Sequence, residues 1–292
     1  MMGGYMAALE SGNVSLLSEM SKTGRANIHA LFKGFPTFPE YVKDATAVAG
    51  WDIRYQSCGS NALGYFLPCS PLDEGIALLR NDETWMSITP LEVESHMLAQ
   101  FGARGNVVVA GLGLGMIANS LLNKHSVKRL TVLEYDAELI ANYSTLLVGE
   151  SRKLWDESIA SGRLQLIQCD CKKTIPIDVK AKIGAVDYMW VDIWANLGGY
   201  DALPDTKRLH KQLQPKVCDY WGMELDFIYE MQSRKLSASP ASVLKVVDKL
   251  GFKNSVMKMN KKQARAYADL AVMASLHVLF GQRSSENVTK FK

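Results

Sequence analysis

The sequence predicts an α/β protein: a doubly wound, mostly parallel sheet preceded by a small β-rich N-terminal unit. From Leu91 onward, short β-branched apolar runs alternate with stretches of helical periodicity. Those runs lack in–out alternation, as strands buried on both faces do. Before Leu91 the pattern differs, with brief β-compatible runs cut by Gly, Pro, Asn and Asp. The expected organisation is residues 1–90 as a helix plus a β-hairpin unit, and residues 91–292 as the α/β domain.

Taken in order, Val14 to Phe32 places Leu16, Leu17, Met20, Ile28 and Leu31 at helical intervals, and Gly34-Phe35-Pro36 stops the helix. Four runs then suit strands of hairpins: Ile53-Arg54-Tyr55, Ala62 to Leu67, Ile76 to Leu79 and Thr84 to Ile88. Leu91 to Phe101 is helical in period. Asn106 to Ala110 predicts the first parallel strand and Met116 to Leu122 the helix after it. Arg129 to Leu133 is the second strand, Ala137 to Val148 the second helix and Leu164 to Gln168 the third strand. Val186 to Val191 as strand, Thr206 to Leu213 as helix and Val217 to Trp221 as strand complete the alternation. Right-handed crossovers between such strands leave a ligand site at their carboxyl ends.

Composition limits the function classes. Apolar residues make up 48% and charged residues 22%, the balance of a soluble globular protein with a full core. A net charge of +3 without a Lys/Arg stripe argues against nucleic acid as a partner. The pairs Lys172-Lys173 and Lys261-Lys262 read as solvated surface. No apolar stretch approaches the ~18 residues of a membrane span, and the N-terminus lacks an export pattern. Cys58, Cys69, Cys169, Cys171 and Cys218 are odd in number, and Cys169-Asp170-Cys171 lacks zinc spacing. Reduced thiols, no metal site and a cytoplasmic location are expected. The expected partner is a small molecule, and a homodimer stays open.

The chemistry concentrates at Val107-Val108-Val109-Ala110-Gly111-Leu112-Gly113-Leu114-Gly115, a strand-to-helix junction. Glycine suits a turn that a Cβ would obstruct and lets a ligand approach the main chain. A dinucleotide fingerprint wants G-x-G-x-x-G, but Met116 holds the place of its last glycine. The spacing therefore favours a nucleoside without a pyrophosphate. Glu134, at the end of the second strand, can accept both ribose hydroxyls, and its charge favours a cationic ligand. Asp136 beside it is placed to cap the next helix. Asp170 and the following Cys171 N–H, after the third strand, can read an adenine edge. Asp192, where the fourth strand ends, faces the same cleft, with Trp194 two residues on. His96, His210, Tyr220 and Glu224 are further polar candidates for the acceptor side, each with an ordinary structural role as the simpler account.

Together these segments resemble class I S-adenosylmethionine-dependent methyltransferases, in a Rossmann-like domain. Within that superfamily, residues 75 to 225 are similar to the spermidine synthase-like branch. Gly75 to Ser87 is similar to the hairpin before that branch's core, and Glu94-Ser95-His96-Met97-Leu98 to the helix leading into it. Asp192 falls on the position of its catalytic aspartate. The resemblance implies S-adenosylmethionine as cofactor, held by Gly111, Leu112, Gly113, Gly115, Glu134, Tyr135, Asp170, Cys171 and Asp192, with Asp192 also as the base. Aminopropyltransferases carry an acid in the glycine loop, where this chain has Leu114. They also carry Asp-Pro after the catalytic aspartate, where this chain has Ala195-Asn196. Polyamine cations need such acids in a dry site, so methyl transfer ranks above aminopropyl transfer. A binding protein without catalysis and an enzyme that cleaves the sulfonium are the remaining classes.

Overall fold

The computed structural model describes residues 14–32, 34–43, 50–57, 64–65, 74–236 and 239–274. Helix α1 (Val14–Phe32) is followed by three strands, β1 (Trp51–Ser57), β2 (Glu74–Arg80) and β3 (Glu83–Ile88). They form an antiparallel sheet in the order β1-β2-β3. Asn81 and Asp82 both take positive φ, 53° and 62°, making the two-residue turn whose twist matches a hairpin. Apart from Gly64 and Tyr65, the expected strand Ala62 to Leu67 lies outside the described residues, as do Cys58 and Cys69.

The expected helix from Leu91 to Phe101 is two: α2 (Pro90–Ser95) and α3 (Met97–Gly102), broken at His96. His96 leaves helical geometry (φ −94°, ψ 5°) because its ring is tied on both sides, as described below. The α/β core then runs β4 (Gly105–Ala110), α4 (Met116–Leu122), β5 (Val127–Glu134), α5 (Ala137–Asn142), α6 (Gly149–Ala160) and β6 (Leu164–Gln168). It continues through α7 (Ile177–Ile183), β7 (Tyr188–Val191), α8 (Ala202–Leu213), β8 (Cys218–Tyr220), α9 (Met223–Ser233) and α10 (Pro240–Val246). A final helix occupies 261–274.

The five core strands order as β6-β5-β4-β7-β8, every pair parallel. This is the doubly wound, Rossmann-like arrangement, with helices covering the sheet. Val107 to Ala110 and all of β7 are buried, which is why those strands read as unbroken apolar runs. The chain reverses winding between β4 and β7, and the crevice above their carboxyl ends is where such sheets bind ligands.

A second expected helix is also corrected. Ala137 to Val148 does not continue as a single helix; α5 stops at Asn142, and Tyr143–Leu146 tightens into a 3-10 turn. Tyr143 is drawn wholly inside, where its hydroxyl donates to the Leu114 carbonyl at 2.8 Å. Leu147 then leaves the helix to bridge Tyr41. Helix α1 and the segment after it lie along the α/β core: Phe32 meets Phe101 edge-on at 5.2 Å, and Gln263 donates to the Leu31 carbonyl. Among the described residues, no helix is long and apolar enough to cross a membrane.

Candidate functional site

A cleft of about 460 Å³ opens above the carboxyl ends of β4, β5, β6 and β7, roofed by the antiparallel sheet. Its floor is the glycine loop. Gly111 takes φ 97°, and a Cβ there would run into the Asp192 carbonyl. Gly113 (φ 49°) is pressed against Met86 of β3, whose thioether sulfur accepts from Leu114 N–H at 2.9 Å. Gly115 (φ 66°) is not a cleft-lining residue; a Cβ there would strike the Tyr143 hydroxyl. Its glycine thus serves packing. Leu114 is wholly buried, and its carbonyl accepts from Tyr41 as well as Tyr143.

Glu134 stands at the end of β5. Its two carboxylate oxygens each accept one backbone N–H: Leu112 of the glycine loop at 2.8 Å, and Asp136 at 2.9 Å. This fixes the group in the cleft mouth and leaves each oxygen a further lone pair. Tyr135 beside it is 67% exposed and lines the cleft, a flat apolar surface open to a ligand. Asp136 caps α5 through Glu138 and Leu139 N–H, and its other oxygen meets Arg80 of β2 at 2.5 Å. Across the mouth, Asp170 accepts Lys172 N–H and pairs with Lys173 at 3.1 Å. Cys169 and Cys171 flank it as free, buried thiols. The hydrogen bond between them pushes the Cys171 thiol well up, with burial adding to it, and holds Cys169 down against the opposing effect of burial. Among the described residues, Gly113 N–H and Cys171 N–H have no protein acceptor.

At the other end, Asp192 Oδ2 lies 2.8 Å from Nε2 of His96, which is fully buried. The other ring nitrogen, Nδ1, lies 2.7 Å from the Glu92 carbonyl and 3.5 Å from the Glu92 carboxylate. A carbonyl only accepts, so Nδ1 carries hydrogen. A second proton must then lie between Nε2 and Asp192, on one or the other. Burial lowers the affinity of His96 for that proton, but the hydrogen bond and charge of Asp192 outweigh it and raise the pKa. Burial pushes Glu92 up to about 8, against the pull of His96, so this carboxyl is mostly neutral at neutral pH. Trp221 stacks on His96 with centroids 5.8 Å apart, and its indole N–H donates to Ser95 Oγ. Trp194 donates to Asp205 at 3.1 Å.

The structure therefore gathers Gly111, Leu112, Gly113, Glu134, Tyr135, Asp170, Cys171 and Asp192 around one cleft, with Gly115 behind it. Three of the further polar candidates lie elsewhere. His210 stacks on Phe252, Tyr220 donates to Asp226, and Glu224 is buried against Tyr65 and Tyr267. Met86, Glu92, Arg80, Trp51 and Trp221 line the cleft without having been foreseen. The Glu92-x3-His96 spacing was a usable signal, since residues four apart share a helix face. Nothing in the sequence brings Met86 to the glycine loop, because that contact joins two sheets.

No family model matches the chain, and no curated protein matches it in sequence. Among solved structures it is similar to spermidine synthase from Thermotoga maritima, at 14% identity and a TM-score of 0.31. The likeness covers 50% of this chain and 47% of that one, so the chain spans about half of that neighbour's length. Likeness of that degree does not reach the site or its chemistry.

Proposed function

We propose that this protein binds S-adenosylmethionine in the cleft and transfers its methyl group to a small-molecule acceptor. The observation that carries the reading is Glu134. It is a carboxylate at the end of the second core strand, fixed by the glycine loop's own N–H and still able to accept from two vicinal hydroxyls. The rest of the cleft fits the same ligand. Tyr135 offers a flat surface, Asp170 with the free Cys171 N–H offers an acceptor and a donor for an adenine edge, and Gly113 N–H remains for a carboxylate. A pyrophosphate fits poorly, since α4 is a seven-residue helix and Leu112 and Leu114 N–H are already engaged.

When bound there, the ligand would supply an electrophilic methyl group for transfer to the acceptor. The chain's own residues orient and desolvate; holding both partners in attack geometry supplies up to about 7–11 kcal/mol. Asp192 lines the cleft and takes the acceptor's proton where there is one to lose. Aminopropyl transfer is the second reading, and the absence of an acid from the glycine loop at Leu114 counts against it. Calorimetry tests the proposal: S-adenosylmethionine and S-adenosylhomocysteine should bind with affinity on the order of micromolar, and NAD and FAD should not. Dinucleotide binding without sulfonium binding would overturn it. The carboxylated ligand should be preferred over its decarboxylated form, with no turnover of putrescine or spermidine.

A further inference from the structure

We infer that the acceptor of this cleft is an uncharged, flat aromatic molecule bearing a hydroxyl, seated beside Asp192 against Trp194 and Trp221. The inference rests on the methyl-transfer reading and goes beyond it by naming the acceptor's chemistry. Its ground is the charge state of the acceptor end. Of the five acids that line the cleft, only Glu134 has no cationic or proton-sharing partner, and it belongs to the nucleoside end. Asp136 is met by Arg80 and Asp170 by Lys173. Asp192 shares a proton with His96, so that pair is neutral as a unit whichever partner holds it. Glu92 is largely enclosed, 3.5 Å from Nδ1 of His96, and its desolvation favours the neutral carboxyl. The acceptor end thus presents no uncompensated negative charge. An ammonium or polyamine entering it would lose its water and find no counter-charge.

What the acceptor end does present is carbon. The indole N–H groups of Trp194 and Trp221 are both turned to protein acceptors, Asp205 and Ser95. Trp221 is nearly buried with one face stacked on His96, so the half-buried Trp194 offers the open ring surface and Trp221 closes the wall behind it. Ile193 and Ala195 continue that wall. A planar aromatic ring buries well there, because aromatic pairs gain beyond area alone. The hydroxyl follows from Asp192. At rest the Asp192–His96 pair holds one shared proton, and the second oxygen of Asp192 takes another from an acceptor O–H. The pair then carries His96 as imidazolium beside a protonated Asp192, until the proton leaves to water through the cleft.

The test is calorimetric titration, at neutral pH, of the full chain saturated with S-adenosylhomocysteine. The probes are 2-naphthol as the uncharged aromatic alcohol, spermidine as the polyamine and choline as a single cation. Expected is saturable binding of 2-naphthol and none of the cations. Trp194→Leu should weaken 2-naphthol about tenfold while S-adenosylhomocysteine affinity stays within about twofold. Trp194→Phe, which keeps an aromatic ring, should restore most of the loss. Binding of spermidine or choline in preference to 2-naphthol overturns the inference, as does 2-naphthol affinity indifferent to Trp194→Leu. Four of the six tryptophans line the cleft, so quenching of intrinsic fluorescence gives an independent readout of 2-naphthol alone. If S-adenosylhomocysteine fails to bind but 2-naphthol quenches saturably, the methyl-transfer reading falls and the aromatic site stands. Absence of both overturns both.

Discussion

At the scale of single residues, the site depends on side chains held by other protein groups before any ligand arrives. Glu134 is held by Leu112 and Asp136 N–H, and Asp192 by His96. Groups fixed in this way lose little freedom on binding, so truncating them costs the interaction itself. Glu134→Ala should weaken S-adenosylhomocysteine by about 1.5–3 kcal/mol for each hydrogen bond to the charged group. Calorimetry reads this directly, and an unchanged affinity would show that Glu134 does not hold the ribose. Asp192→Asn is a sharper probe of chemistry than of binding. The amide oxygen still accepts from His96 Nε2, but the group no longer takes a proton. Product formation from a hydroxyl acceptor should fall to background while S-adenosylhomocysteine affinity falls by less than about tenfold. Equal losses in both would mean that Asp192 only shapes the pocket.

At the scale of elements, the glycine loop is a joint where three segments meet. Its Leu114 carbonyl accepts two buried tyrosine hydroxyls, its Leu114 N–H is covered by Met86, and its last glycine abuts Tyr143. Gly115→Ala therefore strains a positive φ and drives a methyl into the Tyr143 hydroxyl, a cost of roughly 1–3 kcal/mol. Tyr143→Phe alone loses one hydrogen bond, about 1 kcal/mol, since Tyr41 still serves the carbonyl. The double variant should be more stable than the sum of the two, because removing the hydroxyl takes away the nearest clash of the methyl and leaves only the ring carbon Cζ, at 2.5 Å, to give way. Thermal or denaturant unfolding of the four proteins tests this, and strict additivity would contradict the contact. The strands of this joint were legible from Val107-Val108-Val109-Ala110 because burial on both faces leaves no alternation to misread. The end of α5 was not, since the pull on Tyr143 comes from a carbonyl far away in sequence. Helix α6 was not read either: only Trp155 and Ser158 of it are buried, too few to mark a period. The ribose acid and the glycine loop were visible because strand-end positions are local. The Met86, Glu92 and Trp221 walls join separate segments, and no local pattern announces them.

At the scale of the whole molecule, several carboxyls are buried in the core without a full counter-charge. Glu224, in the first turn of α9, accepts from the Tyr65 hydroxyl and from the Tyr267 hydroxyl of the 261–274 helix, and burial lifts its pKa from 4.5 to about 7. Asp219 on β8 accepts from Tyr188 and Ser255, and burial lifts it to about 6. In both cases the fold favours the protonated form more than the unfolded chain does. The stability each contributes is fully present below its unfolded pKa and is lost as pH rises through the folded value. For Glu224 that window runs from the ordinary 4.5 to about 7. The melting temperature should therefore fall as pH rises through this range, opposite in slope to proteins whose acids are salt-bridged. Glu224→Gln keeps the volume and a carbonyl oxygen for Tyr65 but cannot ionise. The variant should show a shallower decline than the parent across that window, with Asp219 and Glu92 supplying what slope remains. Melting curves of both proteins over the same pH series decide the matter: parallel profiles would mean that Glu224 is not the group whose ionisation loosens the fold.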